Sequence, residues 1–302
     1  MQWAGETTPR TQIVPTSYDA LIGLHSENLP YRYEERDSLL YAVSIGMGRD
    51  PLNEAELHYL YEKYPLRVVP TQAVVVARQT LIWDVGLNVG QFLHGEQRLT
   101  IHRPLPPAAE LLADARIAEV YDKGPGKGCV IQLEGTVRDA SDGLALFSWL
   151  ALIVARGDGG VGGPGAKVPA PHPTPTRAPD LVVTTETRRD QALLYRLNGD
   201  RNLVHIDPKI ARHAGFRAPI LHGACTYAIA GREVLAHVCD YDHTRVRSCD
   251  VRFSAPIYPG EHVETQIWVD GDTVSFRARC QERDIVVLDH GRCELGASRL
   301  TV

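Results

Sequence analysis

Arg36-Asp-Ser-Leu-Leu-Tyr41 and Arg189-Asp-Gln-Ala-Leu-Leu-Tyr195 read alike, and each leads to a glycine and an aspartate: Gly46 and Asp50 after the first, Gly199 and Asp200 after the second. An apolar stretch comes next in both halves, predicting long buried helices over residues 71–85 and 223–238. The second carries Ala224, Ala228, Ala230 and Gly231, small enough for a sheet to approach closely. Strand-like runs follow each helix: 97–103, 115–121, 130–138 and 144–154 in the first half, then 250–254, 262–269, 273–281 and 285–295 in the second. The leading run of each series ends in a proline-marked bend. Periodicity thus predicts an α+β protein made by duplicating one helix-and-sheet unit.

The halves part where composition changes. Residues 156–179 contain Gly-Asp-Gly-Gly-Val-Gly-Gly-Pro-Gly and then Pro-Ala-Pro-His-Pro-Thr-Pro, which can hold neither a helix nor a central strand. The expected organisation is a first half over 1–155, a linker over 156–179 and a second half over 180–302. With 302 residues, 44% hydrophobic, 23% charged and a formal net charge of -5, the chain has an ordinary globular composition without the basic face that nucleic acid demands. Six cysteines without a Cys-x-x-Cys spacing, and no signal peptide, predict a reduced, cytoplasmic protein. Twelve histidines show no paired ligand spacing, so no metal is expected. The longest apolar run, residues 147–155, is far short of the roughly 20 residues that span a bilayer. Ser298-Arg-Leu300 is followed by Thr301-Val302 and so is not a terminal peroxisomal address.

The chemistry concentrates in Gly199-Asp-Arg-Asn-Leu-Val-His205, followed by Leu221-His-Gly-Ala224. Asp200, Asn202 and His205 bring a carboxylate, an amide and an imidazole into one short loop, where Gly199 lets the backbone turn and Asp207-Pro208 opens a new element. An imidazole whose ordinary pKa is about 6.5 suits proton transfer near neutrality. Gly223 opens the predicted helix, where backbone N–H groups have no intrahelical acceptor and can hold a developing oxyanion. Taken alone, Asp-x-Asn before a turn is more often only an Asx-type cap. The corresponding segment of the first half, Gly46-Met-Gly-Arg-Asp-Pro-Leu-Asn53, has no histidine at the matching offset, so Asp50 cannot form the pair.

This pattern resembles the signature of (R)-specific enoyl-CoA hydratases, which comprise the hydratase part of peroxisomal multifunctional enzymes and their MaoC-like bacterial relatives. The resemblance extends over nearly the whole chain. In the first half it takes in Asp50-Pro51 with Leu57-His-Tyr-Leu-Tyr-Glu62, Leu93-His-Gly-Glu-Gln97 with His102-Arg-Pro-Leu105, and Asp122-Lys-Gly-Pro-Gly126. In the second it takes in Pro219-Ile-Leu-His-Gly223 and Val251-Arg-Phe-Ser-Ala-Pro-Ile-Tyr-Pro-Gly260. One position departs from the family pattern, Leu203 standing where proline is usual, and the loop loses a fixed φ there.

The resemblance implies a double hot-dog fold, two antiparallel sheets each wrapped around a long helix. It also implies reversible hydration of trans-2-enoyl-CoA to (3R)-3-hydroxyacyl-CoA, without a cofactor, by a homodimer. It assigns catalysis to Asp200, His205, Asn202 and Gly223, and contact with the acyl-CoA to His94, Gly95, Lys123, Arg201, Leu203, Val204 and Phe253, Lys123 towards its phosphates. The degenerate first half is expected to accommodate the acyl chain. Two alternatives stay open: a hot-dog thioesterase, and a catalytically silent acyl-thioester-binding protein. Residue by residue, His94 and His222 also read as core histidines bonded to backbone, Lys123 as a solvated loop charge, Phe253 as core, and Cys225 as a small buried apolar residue.

Overall fold

The computed structural model describes residues 16–77, 81 and 86–300. Ten strands form: β1 (His25–Tyr33), β2 (Phe92–Ile101), β3 (Ala109–Asp122), β4 (Cys129–Asp139), β5 (Ala145–Ala155), β6 (Leu181–Glu186), β7 (Val246–Phe253), β8 (His262–Asp270), β9 (Thr273–Cys280) and β10 (Ile285–Leu295). The α-helices are α1 (Tyr18–Ile22), α2 (Glu35–Ser44), α3 (Leu57–Leu60), α4 (Gln191–Tyr195), α5 (Pro208–His213) and α6 (Gly223–His237). The strands make one continuous sheet in the order β1-β3-β4-β5-β2-β7-β10-β9-β8-β6. Read outwards from the β2/β7 seam, each side runs through the second, fifth, fourth, third and first strand of its own half. The duplication seen in the sequence is therefore a duplication of topology, and the two hot-dog sheets join edge to edge.

Each strand exists because alternate residues have apolar cover. Along β3, Leu111, Ala113, Ala115 and Ile117 are buried, and a bulge between Ile117 and Glu119 resets the alternation so that Val120 returns to the core. At the seam Glu96 faces Arg252 across the antiparallel pair β2/β7. Its carboxylate, only 4% exposed, takes Arg252 Nε at 2.9 Å and Arg98 at 3.1 Å. The two repeats that open each half also meet: Tyr41 and Tyr195 pack with ring centroids 6.1 Å apart. Gln191 donates to the Ser44 carbonyl at 2.7 Å and Asn198 to the Ser44 hydroxyl at 2.8 Å.

α6 forms as expected, one residue shorter. It is apolar almost all round, burying Cys225, Tyr227, Ala228, Ile229, Ala230, Val234 and Leu235 in one cluster with Val251, Val263, Ile267, Phe276 and Leu288 of the second-half strands. The first-half helix differs from expectation. Over the described part of 71–85 the chain makes a 3₁₀ turn, Pro70–Val74, and then Ala77 takes a φ of 54°, left-handed backbone that no α-helix continues through. Residues 78–80 and 82–85 of that expected helix lie outside the described residues. Gly231 serves this turn and not a strand, because a Cβ there would stand 2.9 Å from Thr71 Cγ2.

Residues 156–179 carry neither helix nor strand, yet they are fastened down. Asp122 accepts the Gly160 and Gly162 N–H groups at 2.8 and 2.9 Å, His172 Nε2 meets Ser275 Oγ at 2.8 Å, and Thr174 donates to Asp289 at 2.7 Å.

A second junction between the halves carries a pH dependence. Tyr59 and Arg67 both donate to the Tyr241 carbonyl, at 2.8 and 3.2 Å, and His243 packs edge-on to Tyr59. Burial, reinforced by the Arg67 guanidinium, lowers the His243 pKa from 6.5 to about 4, against the opposing pull of Asp242. As pH falls from 6.5 towards 4, the unfolded chain takes up a proton that the folded chain refuses, so stability is lost across that window. The loss is at most about 3 kcal/mol. Urea melts at pH 7 and pH 5 should therefore diverge less for His243→Asn than for the natural chain; equal divergence would rule out this origin.

Candidate active site

The loop from Tyr195 to Asp207 is shaped by its own side chains. A 3₁₀ turn, Arg196–Asn198, ends at Gly199 with φ 115°, a conformation glycine adopts without penalty. Asp200 Oδ1 accepts the Asn202 N–H at 3.2 Å, and Asn202 Oδ1 accepts the Val204 N–H at 3.2 Å, starting a second 3₁₀ turn, Leu203–His205. Asp207 then caps α5 by accepting the Lys209 and Ile210 N–H groups at 2.7 and 3.3 Å. The Asx-cap reading is thus borne out, since Asn202 spends its oxygen holding the loop.

His205 is 8% exposed, with Nδ1 2.9 Å from the Ile220 carbonyl. A carbonyl only accepts, so Nδ1 carries the hydrogen and Nε2 is the basic nitrogen of the neutral ring. His222, 1% exposed, places Nε2 3.1 Å from the Asp200 carbonyl and by the same reasoning donates from Nε2. The two rings stack with centroids 3.6 Å apart and planes 25° from parallel. One ligating atom from each of Asp200, His205 and His222 lies within 4.8 Å of the others. These are the residues that would offer ligands to a divalent ion. Near-parallel stacked rings, however, aim their in-plane lone pairs side by side, whereas a metal needs them convergent at about 2 Å.

His222 also precedes α6, which opens on the exposed residue Gly223, its N–H outside the helical ladder; Cys225 and Thr226 are the first to bond back, to the His222 carbonyl at 3.0 and 3.1 Å. A Cβ on Gly223 would stand 3.1 Å from the Phe253 ring, and Phe253 packs against His94 with centroids 4.7 Å apart. Gly95 forms the β-bulge of β2, where a Cβ would approach the Leu152 carbonyl to 3.1 Å. His94 of the first half thus packs on Phe253, the ring that flanks Gly223 in the second.

Arg201 and Leu203 are exposed on the outside of the loop, and Val204 is half-buried, accepting the Ile220 N–H at 3.3 Å. A depression of about 580 Å³ adjoins them, lined by Leu203, Ile206, Asp207, Pro208, Lys209 and Arg212. The larger hollow, about 940 Å³, lies on the other face of the sheet around Arg98, Glu134 and Asp250, away from this chemistry. Lys123 is exposed in the β3–β4 turn. The register Asp122–Cys129–Ala155–Phe92 puts it at the His94 end of the sheet, three strand spacings or about 14 Å across. Cys225 is fully buried and burial pushes its thiol pKa up, so it is no nucleophile.

Leu203 occupies the first position of its 3₁₀ turn, where the N–H is outside the ladder, and Asn202 before it has ψ 127°, the extended value a following proline prefers. The backbone thus keeps a proline-compatible shape without proline. Leu203→Pro should raise stability by about 0.4–1 kcal/mol at unchanged turnover; a destabilised variant would show that the Leu203 side chain holds the loop.

Two family models cover the halves in turn: an MFE-2 hydratase 2 N-terminal domain over residues 31–157 and a MaoC-like domain over 170–290. The chain is 37% identical to 3-hydroxyacyl-thioester dehydratase Y of Mycobacterium tuberculosis over 90% of its own length and 96% of that protein. It is 34% identical to mouse peroxisomal multifunctional enzyme type 2 over 93% of this chain and 39% of that much longer one. The structure matches a MaoC-like dehydratase from Phytophthora capsici with a TM-score of 0.81 and 31% identity, covering 93% of this chain and 98% of the other. Duplicated hot dogs with one intact Asp/His loop define a class, the two-domain hydratases and dehydratases of acyl thioesters. The protein belongs to the MaoC-like dehydratase family, in its hydratase 2 branch.

Sequence reading placed His222 as a core histidine bonded to backbone, and it is one. What that reading missed is that the backbone group is the Asp200 carbonyl and that the ring lies flat on His205. The available signal was a histidine at a helix N-cap, a position that Ser, Thr, Asp and Asn usually take.

Proposed function

We propose that the protein adds water reversibly to trans-2-enoyl-CoA, giving (3R)-3-hydroxyacyl-CoA, as the names of its relatives suggest. The observation that carries this reading is the basic Nε2 of His205, fixed by the Nδ1 contact with Ile220, beside Asp200 and the first turn of α6. His205 takes a proton as the water oxygen bonds to C3. The π electrons move to the thioester oxygen, which the Gly223 N–H stabilises. The proton taken by His205 passes to Asp200, which delivers it to C2 as the enolate collapses, so the hydrogen removed from water ends on carbon. No redox step and no cofactor enter.

His94, Gly95 and Phe253 would hold the acyl thioester against Gly223, with Arg201, Leu203 and Val204 along the loop and Lys123 towards the CoA phosphates. The first half would accommodate the acyl chain without catalysing. Asp50 supports this, being exposed and capping Leu52 N–H at 3.0 Å with no partner histidine at the offset that pairs Asp200 with His205. We place the protein in the cytoplasm as a homodimer; among the described residues no helix is long and apolar enough to cross a membrane. The test is to follow loss of the conjugated double bond of a short and a long trans-2-enoyl-CoA, with chiral analysis of the product. A (3R)-hydroxyacyl-CoA supports the reading. Release of free CoA would replace it with thioester hydrolysis, and binding without turnover with a silent binding protein.

A further inference from the structure

We propose that His222 is a positioning residue for this reaction: one edge of its imidazole fixes the main chain of Asp200, and its face seats the ring of His205. The inference rests on the assignment of Asp200 and His205 as the acid/base pair, and on the contacts that His222 makes with both.

The side chain is fully enclosed, so its contacts are set by packing. Nε2 lies 3.1 Å from the Asp200 carbonyl, the ring centroid lies 3.6 Å from that of His205, and Tyr195 packs against His222 with ring centroids 5.0 Å apart. Tyr195 is itself fully buried against Tyr41, its counterpart in the first-half repeat. A chain of ring contacts, tilted between the tyrosines and from Tyr195 to His222, therefore runs from the contact between the two repeats to the His222–His205 stack. The exposed part of the loop, Arg201 to Leu203, is held by the Asx bonds of Asp200 and Asn202 and by the Asn202 and Leu203 carbonyls, which accept the His205, Ile206 and Asp207 N–H groups. The bond from His222 ties the Asp200 peptide to the start of α6, the same helix turn that supplies Gly223. Carboxylate, imidazole and oxyanion donor are thereby referred to one rigid point, and small misplacements of such groups are costly in rate. Stacking also limits rotation of the His205 ring about its Cβ–Cγ bond, adding to the contact from Nδ1 to the Ile220 carbonyl.

The two contacts can be removed separately. In His222→Gln the amide nitrogen reaches where Nε2 was, keeping the bond to Asp200 and losing the platform. In His222→Phe the platform stays and the bond goes. His222→Ala loses both. Each of the first two should lower kcat by about tenfold, with KM for enoyl-CoA within about twofold of the natural enzyme, and Ala should lose more than either. In parallel, the NMR signal of the His205 ring carbon-bound protons, shifted upfield by the stacked ring, should keep its position in the Phe variant and move downfield in the Gln variant. Thermal midpoints on the same samples identify any variant that fails to fold; if Phe does so, Gln carries the test, since it keeps the polar contact. Wild-type kcat in either single variant, a rise in KM at constant kcat, or an unmoved His205 signal in Gln would overturn the proposal. Absence of hydratase activity in the natural protein would instead sink the reaction assignment, and the NMR arm would still report whether His222 seats His205.

Discussion

Asp200→Asn and His205→Asn should each lower kcat for enoyl-CoA hydration by about 10²–10⁴, the usual worth of a positioned acid or base. The fold and the binding of acyl-CoA should persist. Asparagine at 200 keeps an oxygen where Asp200 accepts the Asn202 N–H, so the loop retains its turn. Asparagine at 205 puts an amide nitrogen near the place of Nδ1, keeping the donor to the Ile220 carbonyl while removing the basic Nε2. Because the two groups handle one proton, the double variant should be little worse than the poorer single one. Steady-state kinetics with crotonyl-CoA, alongside acyl-CoA binding by calorimetry, reads this out. Near-normal turnover in either variant would remove that residue from the mechanism.

Gly223→Val should cost on the order of 10²–10³ in kcat/KM, comparable to the loss of one oxyanion donor, with little change in melting temperature. The backbone N–H survives the substitution, and Gly223 begins a helix, so a side chain there does not offend the backbone. The obstacle is lateral. Even a single Cβ comes within 3.1 Å of the Phe253 ring, and Phe253 is already packed on His94. Branched substituents therefore close the gap through which a thioester carbonyl would reach the helix start, and the ring must move with its neighbour. Gly223→Ala should be milder, because Phe253 need give only a few tenths of an ångström. Equal turnover in the glycine and valine forms would place the thioester elsewhere.

The duplication was legible because each half carries the same order of signals: an Arg-Asp-x-Leu-type repeat, a glycine turn, an apolar stretch and alternating strands. α6 was legible from its unbroken run of small and apolar residues. Its first-half counterpart was not, since residues 71–77 are as apolar as a helix requires. The described part instead makes a 3₁₀ turn that stops at Val74 and reaches left-handed backbone at Ala77, where an α-helix could not continue. The joining of two sheets into one was equally hidden, since nothing local distinguishes β2 and β7 as inner edges; the pairing of Glu96 with Arg252 spans 156 residues. At the site, the Asp/His loop and the helix-opening glycine were readable because their chemistry lies within short segments. The stacking of His222 on His205 was not, because it depends on how Ile220 and Leu221 are clamped to Val204 and Ile257.

The most direct test of the central claim is the structure of the protein with (3R)-3-hydroxyacyl-CoA bound. The C3 hydroxyl should lie within hydrogen-bond reach of both His205 Nε2 and the Asp200 carboxylate, with the thioester oxygen about 2.7–3.1 Å from the Gly223 nitrogen. A thioester seated away from α6, or a C3 hydroxyl out of reach of that pair, would contradict the account.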